Sequence, residues 1–226
     1  MKKLIQMVTF DLDGTIIDDE WAHEQAKVEI ARSFGVTSDL ELSKFTGHSN
    51  RLFWETVCRN ANVQGDIEDL TSRQFHRVFE LILQTHQPES AGLTETMQYL
   101  KNNGYTVALT SGSDVFFVDD IMDYLNIRDY VDVKVTKDHV RAVKPDPDVY
   151  LTAQRMGGFE AASCLGVEDS IAGCRALHSA GMTSVGYTNA GKNPQDLSLA
   201  DYRIECMTDL IPLLEKINSD IPFAAN

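Results

Sequence analysis

Asp11-Leu12-Asp13-Gly14-Thr15 follows an apolar run that begins at Leu4 and ends in Val8-Thr9-Phe10. A run of this length bounded by turn residues reads as a buried strand. Two carboxylates two positions apart then stand just past the strand end, and Gly14 permits a sharp turn that a Cβ would resist. In an open α/β sheet, ligands bind at the carboxyl ends of the strands. The stretch therefore sets two acids at the mouth of a sheet, one suited to attack and one to handle a proton. Taken alone, Asp-Gly is also a strong hairpin-turn dipeptide. The remainder of the chain chooses between these readings.

Past Pro88, Ser90 and Gly92, a breaker cluster, the hydrophobic period changes. Strands are expected over 105–110, 131–135, 163–167, 183–187 and 202–205, with helices over 94–102, 114–125, 147–156, 170–180 and 207–217. Strand and helix alternating in this way imply right-handed crossovers and a parallel sheet. Between Ile16 and the breaker only helical patterns occur, over 20–34 ending at Gly35, 50–60 and 66–86. The expected fold class is α/β: a Rossmann-like doubly wound parallel sheet core of residues 1–16 and 89–226, with an inserted all-helical cap domain, 17–88. The insertion leaves the core at the sheet's carboxyl edge.

A chain of 226 residues can hold a sizeable core plus a smaller inserted unit. The net charge of −14 repels nucleic-acid phosphates and anionic lipid, so neither is expected as a partner. It repels small anions too, so a phosphorylated ligand would need a local cation. The four cysteines form no C-x-x-C pair and read as buried free thiols of a reducing compartment. The six histidines lack the H-x-x-x-H spacing of a zinc site. Met1-Lys2-Lys3 resembles a signal-peptide start, but the apolar run after it is interrupted by Gln6 and reaches Asp11 at once. No run of about twenty apolar residues offers a membrane span. The expectation is a cytoplasmic protein, a monomer or weak homodimer, whose partner is a small phosphorylated metabolite.

Four of the expected strands lead to a polar cluster. Asp11-Leu12-Asp13 is followed by Ser111-Gly112-Ser113, Lys144-Pro145-Asp146-Pro147-Asp148 and Glu168-Asp169-Ser170. A hydroxyl beside a glycine amide, a lysine and several acids are what phosphoryl transfer needs. They supply donors to the phosphoryl oxygens, a fixed positive charge and oxygen ligands for magnesium. Each cluster has a plainer reading by itself: Ser113 or Asp114 as a helix cap, Lys144-Pro145 as a solvated loop, Glu168-Asp169 as acids at a helix N-terminus. Their joint order and spacing point to one site.

D-x-D-G-T, a strand ending in Ser, Lys-Pro-x-Pro-Asp and Glu-Asp-Ser-x-x-Gly (168–173), in this order, resemble the haloacid-dehalogenase superfamily of phosphotransferases. The resemblance covers essentially the whole chain, and the helical insertion is similar to the small cap of the sugar-phosphatase and β-phosphoglucomutase branch. It implies Asp11 as a nucleophile that becomes an aspartyl phosphate, and Asp13 as the acid and then the base. It implies that Ser111, beside the Gly112 amide, binds a phosphoryl oxygen and that Lys144 neutralises the phosphoryl group. It implies Mg2+ held by Asp11, the Asp13 carbonyl, Asp169, and Glu168 directly or through water. His23, ten residues after Asp13, has the spacing of a cap histidine, or is simply a histidine on an amphipathic helix. Gly47-His48-Ser49-Asn50-Arg51 is similar to the cap's specificity loop, with His48, Ser49 and Arg51 as substrate-binding candidates. In the family's mutases an arginine follows that serine directly. Here Asn50 intervenes, which favours a phosphatase over a β-phosphoglucomutase-like enzyme. The second Asp, absent from dehalogenase-type members, favours phosphate esters over carbon–halogen bonds. Phe53 and Trp54 read as cap core.

The expected activity is Mg-dependent hydrolysis of small phosphate monoesters, sugar phosphates foremost. A catalytically silent scaffold is opposed by the intact Asp11, Asp13, Ser111, Lys144 and Asp169. A dinucleotide-binding oxidoreductase is opposed by the lack of G-x-G-x-x-G after any expected strand.

Overall fold

The computed structural model describes residues 4–36 and 50–219. In chain order its elements are β1 (Met7–Asp11), α1 (Glu20–Ser33), α2 (Asn50–Ala61), α3 (Ile67–Thr85), α4 (Leu93–Asn102), β2 (Thr106–Thr110), α5 (Val115–Tyr124), β3 (Val133–Val135), α6 (Asp148–Gly157), β4 (Cys164–Glu168), α7 (Ile171–Ala180), β5 (Thr183–Tyr187), β6 (Tyr202–Ile204) and α8 (Leu210–Ser219). Among the described residues the strands form one parallel sheet in the order β3-β2-β1-β4-β5-β6. This is the doubly wound sheet that the alternation implies. β1 and β4 are buried at every position, as strands covered on both faces must be. The winding reverses between β1 and β4, where such sheets open a ligand crevice. Asp11 stands opposite Thr110 of β2, and Phe10 opposite Val167 of β4, so the three central strands end level.

The chain divides into two compact units, Met1–Ile17 with Pro88–Asn226, and Asp18–Gln87. The sequence-based boundaries differ by one residue at each junction: Pro88 belongs to the sheet unit, and so does Ile17. Its carbonyl accepts from the Gly14 amide at 2.8 Å, and it bridges Glu89. The Ser90 amide likewise donates to the Ile16 carbonyl at 2.8 Å, so the outgoing and returning chains are tied side by side. The helical unit packs its own core from Ile30, Ala31, Phe53, Trp54, Val57 and Leu70, with Phe53 and Trp54 in the core as expected.

Several boundaries shift for local reasons. Asp66 and His86 are caps of α3 and not part of it. The Asp66 carboxylate accepts from the Glu68 and Asp69 amides at 2.9 and 3.4 Å, and His86 turns left-handed at φ 53°. Asp11 and Glu168 are the last residues of their strands and do not lie beyond them. β3 begins at Val133, not 131, because Arg128–Tyr130 form a 3-10 turn and the Asp132 carboxylate accepts from the Val107 amide at 2.9 Å. The closing helix starts at Leu210, after a 3-10 turn at Met207–Asp209. The cysteines are all free, but only Cys164 and Cys174 are buried, and Cys58 and Cys206 are half-buried. Burial pushes the two buried thiols up to about 11 and about 12. No helix among the described residues is long and apolar enough to cross a membrane.

Gly166 sits in the middle of β4, where a Cβ would stand 2.2 Å from Leu177 Cδ2. The missing side chain lets Leu177, fully buried, seat α7 against the sheet. Gly166→Ala should overpack this contact and destabilise the protein by about 1–3 kcal/mol. In a Leu177→Ala background the same change should cost much less. Urea unfolding of the four proteins closes the cycle, and an equal penalty in both backgrounds would exclude the contact as its cause.

Candidate active site

At the carboxyl ends of β1, β2 and β4 the sheet unit gathers Asp11, Asp13, Ser111, Lys144, Glu168 and Asp169. Lys144 Nζ lies 2.5 Å from Asp11 Oδ1 and 2.6 Å from Glu168 Oε1, and 5.1 Å from the centroid of the Tyr150 ring. Asp11, Glu168 and Asp169 each bring a carboxylate oxygen within 4.8 Å of the others. Gly14 has φ +79°, and a Cβ there would stand 2.3 Å from Asp169 Oδ2, so the turn passes this carboxylate only as glycine. Thr15 Oγ1 donates to Asp169 Oδ1 at 3.4 Å, and Asn193 Nδ2, from beyond β5, donates to the Asp169 carbonyl at 2.6 Å.

Two hydroxyls hold the second acid. Asp13 Oδ2 accepts from Ser111 Oγ at 3.1 Å and from Ser113 Oγ at 2.9 Å, while the Ser113 amide donates to Ser111 Oγ at 3.0 Å. Ser113 reads from sequence only as a possible helix cap. In the structure Asp114 occupies the N-cap of α5, without a side-chain cap bond, and the Ser113 hydroxyl turns to Asp13. Gly112 is exposed, with no heavy atom within 4 Å of where a Cβ would stand, so space does not require a glycine there.

Glu168 is wholly buried. Its Oε1 accepts from the Tyr150 hydroxyl in a short contact and faces Lys144. Its Oε2 accepts from Ser170 Oγ at 3.0 Å and the Ser170 amide at 3.3 Å. A Cβ on Gly173 would fall 1.8 Å from Glu168 Cδ, which is the physical reason for the glycine of Glu-Asp-Ser-x-x-Gly. Tyr150, on the buried face of α6, carries no motif signal and is visible as a site residue only in three dimensions.

Charge is unbalanced here. Burial first, and then Glu168, push the carboxyls of Asp11 and Asp169 well above the usual carboxylate range. Burial alone would lower the Lys144 ammonium, but Asp11 and Glu168 outweigh it and hold it well above an ordinary lysine. Three crowded carboxylates with one lysine, offering oxygen donors only, suit a hard divalent cation such as magnesium.

The candidates in the helical unit are differently placed. His23, on α1, is buried, with Nδ1 3.1 Å from Gln74 Nε2 and Nε2 3.6 Å from Asp19 Oδ2. Arg51 is exposed on α2 and pairs with Glu55 at 2.8 Å. His48 and Ser49 lie outside the described residues.

The sequence profile described as haloacid dehalogenase-like hydrolase matches residues 8–187. A putative phosphatase, YhcW, of Bacillus subtilis (strain 168) is 30% identical over 224 residues, covering 96% of this chain and 99% of its own. Hexitol phosphatase B of Escherichia coli (strain K12) is 26% identical, covering 89% of this chain and 92% of its own. Among solved structures, a β-phosphoglucomutase from Clostridium difficile matches with a TM-score of 0.79 at 24% identity, over 96% of this chain and 99% of that one. At that identity the likeness shows the fold.

Lys144→Met would remove the cation that Asp11 and Glu168 share. In metal-free buffer near neutral pH it should lower stability by about 3–5 kcal/mol in urea unfolding, the usual result of leaving buried charges unpaired. A carboxyl whose folded pKa is raised costs stability once it ionises, and costs nothing below its unfolded value, where both states are protonated. The loss in Lys144→Met should therefore shrink as pH falls toward the ordinary carboxylate range. A loss that does not change with pH would rule out the charge explanation.

Proposed function

This chain belongs to the haloacid dehalogenase-like hydrolase family, and from that premise we propose that it is a magnesium-dependent phosphatase of small phosphate monoesters, sugar phosphates foremost. The observation that carries the reading is Lys144 Nζ, 2.5 Å from Asp11 Oδ1 at the switch point of the sheet. A carboxylate attacks a phosphate dianion poorly unless cations screen the repulsion. Lys144 supplies a fixed one. Magnesium, held by Asp11, Asp169 and the Asp13 carbonyl, would supply the rest of that screening. Both oxygens of Glu168 are engaged by Lys144, Tyr150 and Ser170, which fits a place one water away from the metal better than direct ligation.

In the proposed reaction Asp11 attacks phosphorus, and the ester P–O bond breaks as Asp13 passes its proton to the departing oxygen. Ser111 and the Gly112 amide donate to the phosphoryl oxygens. Water then attacks the aspartyl phosphate, Asp13 takes the water's proton, and inorganic phosphate leaves with Asp11 restored. Ser113 keeps its hold on Asp13 when Ser111 turns to the phosphate, which accounts for two hydroxyls on one carboxylate oxygen.

Residues 18–87 would serve as the cap that selects the substrate. Hexitol phosphatase B among the relatives supports a sugar phosphate. Asn50 between Ser49 and Arg51, and the pairing of Arg51 with Glu55, support hydrolysis over mutase chemistry. The free thiols fit a reducing, cytoplasmic setting.

A phosphorus NMR time course with magnesium and a panel of sugar phosphates, including β-glucose 1-phosphate, tests the reading. Inorganic phosphate should grow. Its production should stop with a chelator and in Asp11→Asn, whose circular dichroism should match the parent. Conversion of an ester into its isomer with little free phosphate would replace the phosphatase by a mutase. Turnover retained by Asp11→Asn would sink the nucleophile assignment.

A further inference from the structure

Gln74, on α3, is fully buried in the helical unit. Trp54 Nε1 lies 2.9 Å from its Oε1, and its Nε2 lies 3.1 Å from Asn50 Oδ1 and 3.1 Å from His23 Nδ1. An indole N–H can only donate. The atom of Gln74 facing Trp54 must therefore be the oxygen, and the atom facing His23 must be the nitrogen with its two hydrogens. A rotated amide would set N–H against N–H beside Trp54 in the dry interior, where an unmet donor is expensive.

His23 Nδ1 consequently accepts, and the proton of the neutral imidazole sits on Nε2. The other side of the ring agrees with this. Nε2 faces the Asp19 carboxylate at 3.6 Å, a neighbour that favours an N–H there. Packing opposes a ring flip, because His23 stands edge-on to Phe75, with centroids 5.7 Å apart and planes at 89°.

We propose that Gln74, held by Trp54, is a positioning residue that fixes His23 as the Nε2–H tautomer, which leaves the histidine a hydrogen-bond donor at Nε2 with its one lone pair already taken. In this form the Nε2 lone pair is delocalised into the ring and the Nδ1 lone pair is taken by Gln74. The tautomer follows from contacts inside the helical unit alone. Its bearing on turnover rests on the phosphatase reading.

The test is a long-range proton–nitrogen spectrum of the full chain carrying 15N-histidine, at mildly alkaline pH, with His23 assigned through its contact with Phe75. Nδ1 should appear as the unprotonated nitrogen and Nε2 as the protonated one. The reverse pattern in the parent protein overturns the proposal without any variant. Gln74→Glu keeps the shape but replaces the donor by an acceptor, so a proton should appear on Nδ1. Trp54→Phe keeps the aromatic packing and frees the amide to rotate, so both tautomers should be populated. Unchanged His23 nitrogens in both variants would overturn the lock. On an ester that the parent turns over, Gln74→Glu should lower kcat about tenfold, the factor one hydrogen bond commonly carries, with a smaller change in KM. An unchanged kcat with a moved proton would overturn the positioning role. Absence of turnover in the parent would instead count against the phosphatase reading, while the spectrum still decides the tautomer.

Discussion

Lys144 between Asp11 and Glu168 is the interaction on which the rest of the sheet unit depends. An unpaired charge in a dry interior costs several kcal/mol, so the acids and the base have to arrive together. The topology achieves this by ending β1 and β4 side by side at the switch point and sending Lys144 in from the loop before α6. Around the trio, small residues make room. Gly173 leaves space for Glu168, and Gly14 leaves space for Asp169. Tyr150 and Ser170 then occupy the oxygens of Glu168, which gives this wholly buried carboxylate fixed partners on both sides.

The pairing is incomplete. Asp11 and Asp169 remain above the usual carboxylate range, pushed there by burial and by Glu168, so the protein holds more acid at this point than its own lysine balances. Titratable groups displaced in this way cluster where chemistry is done. What weakens the metal-free fold is the same excess of negative oxygen that suits a divalent cation. Stability and function here are two consequences of one charge arrangement.

The helical unit follows a different logic. Its core is built from aromatic and aliphatic side chains, and its buried polar groups form a chain in which each member has a set direction. The direction originates at Trp54, a donor that cannot be reversed, and passes through Gln74 to His23. Arg51, by contrast, is committed to Glu55 on an exposed helix face.

Much of this was legible in the residues. The apolar run into Asp11, the alternation beyond Pro88 and the all-helical patterns before it determined the parallel sheet and the inserted unit, because hydrophobic period and glycine turns are local signals. The order of the motifs determined which acids, hydroxyl and lysine to gather. Only the tertiary structure decided what holds them, because those partners are far apart in the chain. Ser113 reaches Asp13 across 100 residues, Asn193 reaches the Asp169 carbonyl across 24, Tyr150 reaches Glu168 across 18, and Trp54 sets Gln74 across 20. A hydroxyl, an amide or an indole carries no periodic signature. Its meaning comes from the group it meets, and that meeting is made by packing, which no local stretch of sequence contains.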